Sequence, residues 1–176
     1  MNLIGLRLAS AALFATALAP QVHAHAVLDQ KEAPANTYHR AIIRIPHGCA
    51  GSATIAVAVT LPPSILRAKP QPKPGWTITI ATEPLPKPVS GPHGAIITER
   101  VREIRWDGGP LPDEHFDDFA ITFRLPDTPG EALYFPTRQV CEKGEHNWSQ
   151  IDPPDPAKGE PAPKLFITPA PRAQAG

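Results

Sequence analysis

Proline occurs 24 times in 176 residues, and no other feature restricts the fold as much. Each proline removes a backbone donor and clashes with the turn before it, so long helices are excluded. Short strands remain. "ATIAVAV" (53–59) puts Ile55, Val57 and Val59 on one face, "WTITI" (76–80) does so with Trp76, Ile78 and Ile80, and "FAITFRL" (119–125) with Phe119, Ile121, Phe123 and Leu125. A period of two is that of a half-buried strand. Weaker strand patterns lie at 26–30, 39–45, 101–106, 133–140, 148–151 and 164–168. Turn signals such as Pro34-Ala35-Asn36, Lys73-Pro74-Gly75 and Gly108-Gly109 separate them. Short strands at this spacing predict an all-β fold, a single antiparallel β-sandwich domain of immunoglobulin- or cupredoxin-like form. The proline-laden stretches 66–74 and 83–94 are expected to be loops, and 152–163 ("DPPDPAKGEPAP") an extended edge segment or linker. The final "PAPRAQAG" is expected to be disordered.

The amino terminus carries a secretory signal pattern: Arg7, an apolar run from Leu8 to Leu18, then Pro20 and small residues. That run is about half the roughly 20 residues a spanning helix needs. Two cleavage sites fit the small-x-small rule, one after Ala24 and one after Ala26. The first leaves His25 at the amino terminus and the second leaves Val27; the length of the intervening segment favours the first only slightly. The expected organisation is a signal at 1–24, a domain at 25–151 and a proline-rich segment at 152–176 with an edge strand at 164–168. Mature, the chain has about 150 residues, enough for one real core. No further apolar stretch reaches membrane length, so no membrane anchor is expected after cleavage.

The 17 basic and 17 acidic residues balance, so no basic field exists to attract nucleic acid or anionic lipid. Cys49 and Cys141 are the only cysteines. An even pair in an exported chain predicts one disulfide; the alternative, two thiol metal ligands, lacks CxxC spacing and an appropriate compartment.

No HExxH, GxSxG, Walker loop or GxGxxG is present, so a familiar hydrolase or nucleotide-dependent enzyme is not expected. Six histidines (25, 39, 47, 93, 115 and 146) remain beyond the signal. His25 at a free amino terminus would offer a metal two nitrogens, its imidazole and an amine whose pKa of about 7.7–8.0 lets a metal displace the proton near neutrality. Nitrogen ligands favour Cu(II). The plainer alternative is an ordinary residue at a frayed end. The acidic run "LPDEHFDDF" (111–119) has no EF-hand spacing and reads as a turn leading into a strand. His93 and His146 read as solvated loop residues.

The stretches "HAVLDQKEAPANTYHRAIIRIPHGCAGSAT", "PKPGWTI", "WDGGPLPDEHFDDFAITFRL" and "LYFPTRQVCEKGEHNW", in this order and with these gaps, resemble the YcnI-like copper-binding domain family of exported bacterial proteins. The resemblance runs from His25 to about residue 151. It implies a β-sandwich binding copper through the first mature residue, in a mono-histidine form of the histidine brace, with an acidic ligand and a nearby tryptophan. His25 matches the terminal histidine and Trp148 the tryptophan. Glu32 sits where the family has a glutamate after the first strand; a second position, often acidic in the family, is His39 here. "PHGC" looks like the Gram-negative branch, which pairs Cys49 with Cys141 and brings His47 into reach as an additional ligand.

The function expected is a periplasmic protein that buffers or delivers copper without turnover, its partners the copper ion and another periplasmic chaperone or a membrane copper transporter. Two alternatives belong to other classes. A histidine-brace copper monooxygenase needs a second histidine and a flat aromatic face, hard to build from three tryptophans and two tyrosines. A metal-free exported interaction domain follows if cleavage falls after Ala26.

Overall fold

The computed structural model describes residues 25–91 and 94–171. Residues 1–24, where a signal is expected, together with His93 and the tail from Arg172, lie outside the described residues, whereas the expected cleavage point after Ala26 falls within them. In chain order the strands are β1 (Val27–Leu28), β2 (Glu32–Pro34), β3 (Tyr38–Ile45), β4 (Thr54–Thr60), β5 (Ala68–Pro70), β6 (Trp76–Ser90), β7 (Ile96–Leu111), β8 (Asp117–Arg124), β9 (Ala132–Tyr134), β10 (Thr137–Cys141), β11 (Glu145–Trp148) and β12 (Lys164–Thr168). They form three sheets, ordered β1-β3-β8-β5, β11-β10-β4-β7-β6 and β2-β12-β9. The fold is an all-β sandwich. Among the described residues no helix is long and apolar enough to cross a membrane.

Alternation builds the first layer. In the β3/β8 pair, Ile43 lies opposite Phe119, Ala41 opposite Ile121 and His39 opposite Phe123, all buried, so every second residue of both strands enters the core. The outward residues carry charge, and Arg44 holds Asp118 through paired bonds of 2.8 and 2.9 Å. The second layer answers with β4 and β7, where Val57 faces Trp106 and Val59 faces Ile104. Phe119 joins the layers, its ring centre 5.4 Å from Trp106 and 5.1 Å from Trp76, both edge-on, the arrangement that ring quadrupoles favour.

Several expectations are corrected. The stretch 83–90 is strand, not loop: β6 runs on to Ser90 through Pro84, Pro86 and Pro88. Those prolines recur at every second residue and β6 is an edge strand, the position where missing amides are tolerated. Likewise Ala68–Pro70 pairs with β8. Ile55 is 37% exposed although Val57 and Val59 are buried, because the β4/β7 register shifts between Thr54 and Ala56 and turns Ile55 outward. Ile80 is likewise exposed on the edge strand. The run 133–140 divides at Pro136 into β9 and β10, and the strand expected at 148–151 instead ends at Trp148. Most consequentially, 164–168 is no edge. It forms the centre of the third sheet, parallel to β2 and antiparallel to β9, with Leu165 and Ile167 in the core. The packed domain therefore continues past 151 to β12.

His39 is 8% exposed, edge-on to Phe123 at 5.9 Å, and its Nε2 has no hydrogen-bond partner. It is packed in the first layer against Phe123, and among the described residues no ring contact or hydrogen bond joins its side chain to His25 or Trp148. Burial pushes its pKa below the ordinary imidazole value, with Asp29 only partly opposing. The unfolded chain then binds a proton that the folded chain resists, so stability rises with pH between the folded value and about 6.5 and is complete above that. Urea midpoints measured from pH 7 to 5 should fall more steeply in the wild type than in His39→Leu. Equal slopes would contradict this assignment.

Candidate metal centre

The centre is laid out by the β10/β11 hairpin. Gln139 pairs with His146 and Thr137 with Trp148, and residues two apart on a strand share a face. His146 and Trp148 thus project together, above a floor of fully buried Thr137 and Gln139. A buried glutamine needs partners for both ends of its amide. Gln139 Nε2 donates to the His47 carbonyl (2.6 Å) and to Thr54 Oγ1 (2.8 Å), and its Oε1 accepts from Trp148 Nε1 (3.4 Å). The Cys49–Cys141 disulfide, with Cα atoms 6.0 Å apart, fastens the loop carrying His47 to the end of β10. One polar side chain and one covalent bond therefore fix where His47 and Trp148 stand.

The other wall is the proline-rich segment expected to be a linker. Asp152 accepts from Lys164 Nζ (2.6 Å) and from the Tyr134 hydroxyl. Asp155 caps a short 3-10 turn at Pro156–Lys158. Gln150 then grips the far end: its backbone NH donates to the Glu160 carbonyl (3.0 Å), its carbonyl accepts from Ala162 (2.9 Å), and its Oε1 accepts from the Glu160 NH (2.9 Å). A Cβ at Gly159 would meet the Gln150 carboxamide oxygen, so a larger residue there would displace that side chain from the Glu160 NH. The segment forms a strap whose residues 159 and 160 each hold a histidine.

His25, two residues before β1 begins, places Nε2 3.1 Å from the Gly159 carbonyl. A carbonyl only accepts, so Nε2 carries the hydrogen and the lone pair is left on Nδ1, the nitrogen on the same side as the residue's own backbone nitrogen. Its ring lies edge-on to Trp148, centres 5.4 Å apart. Trp148 is both core and site: 2% exposed and part of the main apolar cluster, it still reaches His25. Beside them Glu160 Oε1 is 2.7 Å from His146 Nδ1, and its Oε2 accepts from the Asn147 NH (3.0 Å). His146 stacks on Trp148 at 4.8 Å and meets His47 at 6.3 Å, centre to centre. His25 also opens onto a groove of about 470 Å3 lined by Val27, Lys31, Pro156 and Phe166.

The structure thus joins His25 to Trp148 directly and brings in His47 by way of His146. Glu32 is not brought to them. It lies exposed on β2 opposite Phe166, because β2 pairs along β12 in the third sheet, and among the described residues no hydrogen bond or ion pair joins it to His25. The carboxylate at the cluster is Glu160. Sequence reasoning missed both Glu160 and His146; the two-residue spacing of His146 and Trp148 on one strand was the signal for the latter. Among the described residues no group of three or more His, Cys, Asp or Glu side chains is placed to hold a metal. A terminal histidine that supplies two nitrogens needs no such group.

A family profile described as a domain of unknown function (DUF1775) matches residues 25–167, a span that includes the strap and most of β12. The crystal structure of an uncharacterized protein from Nocardia farcinica, described as revealing an immunoglobulin-like fold, is similar at 26% identity with a TM-score of 0.62, over 82% of this chain and 98% of that one. No curated protein matches the chain.

Proposed function

We propose, for a chain that belongs to the DUF1775 family, a role as an exported copper-binding protein of the periplasm that buffers or passes on copper without turnover. The observation that carries this reading is the bond from His25 Nε2 to the Gly159 carbonyl, which sets the imidazole in the tautomer that a chelate with the α-amine requires. Outer partners of this kind orient metal-binding imidazoles and raise their basicity. Two nitrogen donors suit Cu(II) above other common divalent ions. The family match begins at His25, the residue that cleavage after Ala24 would expose, and the YcnI-like resemblance points the same way.

In this reading Trp148 supplies no lone pair. Its indole NH is turned to Gln139, and its ring flanks the His25 imidazole, limiting solvent access and tuning the ion's surroundings. Another copper chaperone of the compartment or a membrane copper transporter would give or receive the ion. The test is to export the full chain, determine the mature amino terminus by mass spectrometry, and load the protein with Cu(II) under dialysis. A chain beginning at His25 that retains one tightly held ion is expected. A chain beginning at Val27 would end this reading and leave a metal-free interaction domain.

A further inference from the structure

We propose that the broad groove between β5 and the β6/β7 turn binds an organic anion, a carboxylate or phosphate group carried on an apolar body. The groove, of about 770 Å3, is walled by both layers, with Lys69 of β5 and Arg124 of β8 from the first sheet and Ser90 of β6 and Ile97 of β7 from the second. That volume is typical of small-molecule sites, which join an apolar lining to a few placed polar groups. The groove shares no residue with the one onto which His25 opens. The site therefore stands or falls separately from the function proposed above.

Charge selects the sign of the ligand. Arg67, Lys69 and Arg124 line the groove against one carboxylate, Asp127, in a chain whose 17 basic and 17 acidic residues balance overall. Among the described residues neither Arg67 nor Lys69 makes a hydrogen bond or ion pair through its side chain. Strand pairing sets two of the cations on one outward face. Lys69 lies opposite Thr122, directly opposed side chains stand about 4.5–5.5 Å apart at Cβ, and Arg124 follows Thr122 by two residues on the same face. Arg124 is already oriented, its guanidinium donating to Asn36 Oδ1 at 2.7 Å, and it keeps further NH groups for a ligand. Unmatched like charges repel, and an anion seated among them removes that cost. Guanidinium forks suit the paired oxygens of carboxylate and phosphate in particular.

The rest of the lining calls for an apolar body behind that head. Leu66, Ile97, Leu125 and Pro126 also face the groove, and Leu66 and Pro126 are only half-buried. A bare inorganic anion would leave their surface in water, whereas an alkyl or aromatic group covers it. Tyr38, opposite Arg124 and 77% exposed, adds a ring and a hydroxyl to the same groove.

The test uses the mature, metal-free chain and four probes: octanoate, octyl phosphate, octanol and inorganic phosphate. By calorimetric titration octanoate or octyl phosphate should bind one to one, the tighter of the two naming the headgroup. Either should shift the methyl signals of Leu66 and Ile97 in NMR spectra, which requires no variant to fold. Octanol and inorganic phosphate, each lacking half of the ligand, should bind more weakly by about 10-fold or more. The Arg67→Gln/Lys69→Gln double variant should lose affinity by about 10-fold or more at an unchanged melting temperature, as removal of a charge-assisted contact requires. Lys143→Gln, on the β10/β11 turn, should bind as the wild type does. Octanol as tight as octanoate, inorganic phosphate as tight as octyl phosphate, or a double variant as tight as the wild type would each overturn the proposal. So would failure of both amphiphiles to bind, or binding that leaves the Leu66 and Ile97 methyl signals unmoved.

Discussion

Cu(II) affinity is expected to fall more than about 100-fold in His25→Ala, beyond the 10–100-fold that losing an outer partner costs, and by a comparable factor when the α-amine of the native chain is acetylated. The two changes remove different donors. Alanine leaves the amine without its imidazole, and acetylation leaves the imidazole, still bonded to Gly159, without its amine. If the ion is held by a ring closed through both nitrogens, either change reduces the tight site to a single donor. Competition titration against a chelator of known affinity reads the loss, and electron paramagnetic resonance reports the change in nitrogen donors. An acetylated protein that binds Cu(II) as tightly as the native one would show that the amine takes no part.

Removal of the disulfide, as a Cys49→Ala/Cys141→Ala double variant, is expected to cost about 3–5 kcal/mol. The bond closes a span of 92 residues, and in the chain-entropy description a long closed loop restricts the unfolded ensemble strongly. For a domain of this size that corresponds to a melting temperature lower by roughly 10–15 °C. Urea unfolding and thermal melts of the oxidised, reduced and double-variant forms measure it. An unchanged midpoint would mean that the β10/β4 pairing and the Gln139 bonds already hold the His47 loop unaided.

The layers were legible where alternation was clean. Phe119, Ile121, Phe123 and Leu125 all enter the core as their period required, and the two cysteines meet in a disulfide. Pattern failed where position in the sheet, which no local stretch encodes, outweighed composition. Three prolines at alternate residues look like a loop until the strand carrying them lies at an edge, and Ile55 looks buried until a bulge turns it. The centre was half legible. His25 and Trp148 were singled out and do meet, and His47 was placed near them through its neighbouring cysteine. Glu160 was beyond reach because its partner His146 is 14 residues away across a segment whose prolines and lysine suggest solvent. Glu32 was preferred from family position, and its direction depends on a parallel pairing with the far end of the chain.

The oxygen that orients His25 lies 134 residues downstream, in a stretch that is seated only when its flanking strand, β12, has docked. In the exported role proposed above, the first residue of the domain would cross the membrane long before that oxygen does. A half-translocated polypeptide would present an imidazole, but not one held by Gly159, so in that role capture of an ion would report that translocation and folding are finished.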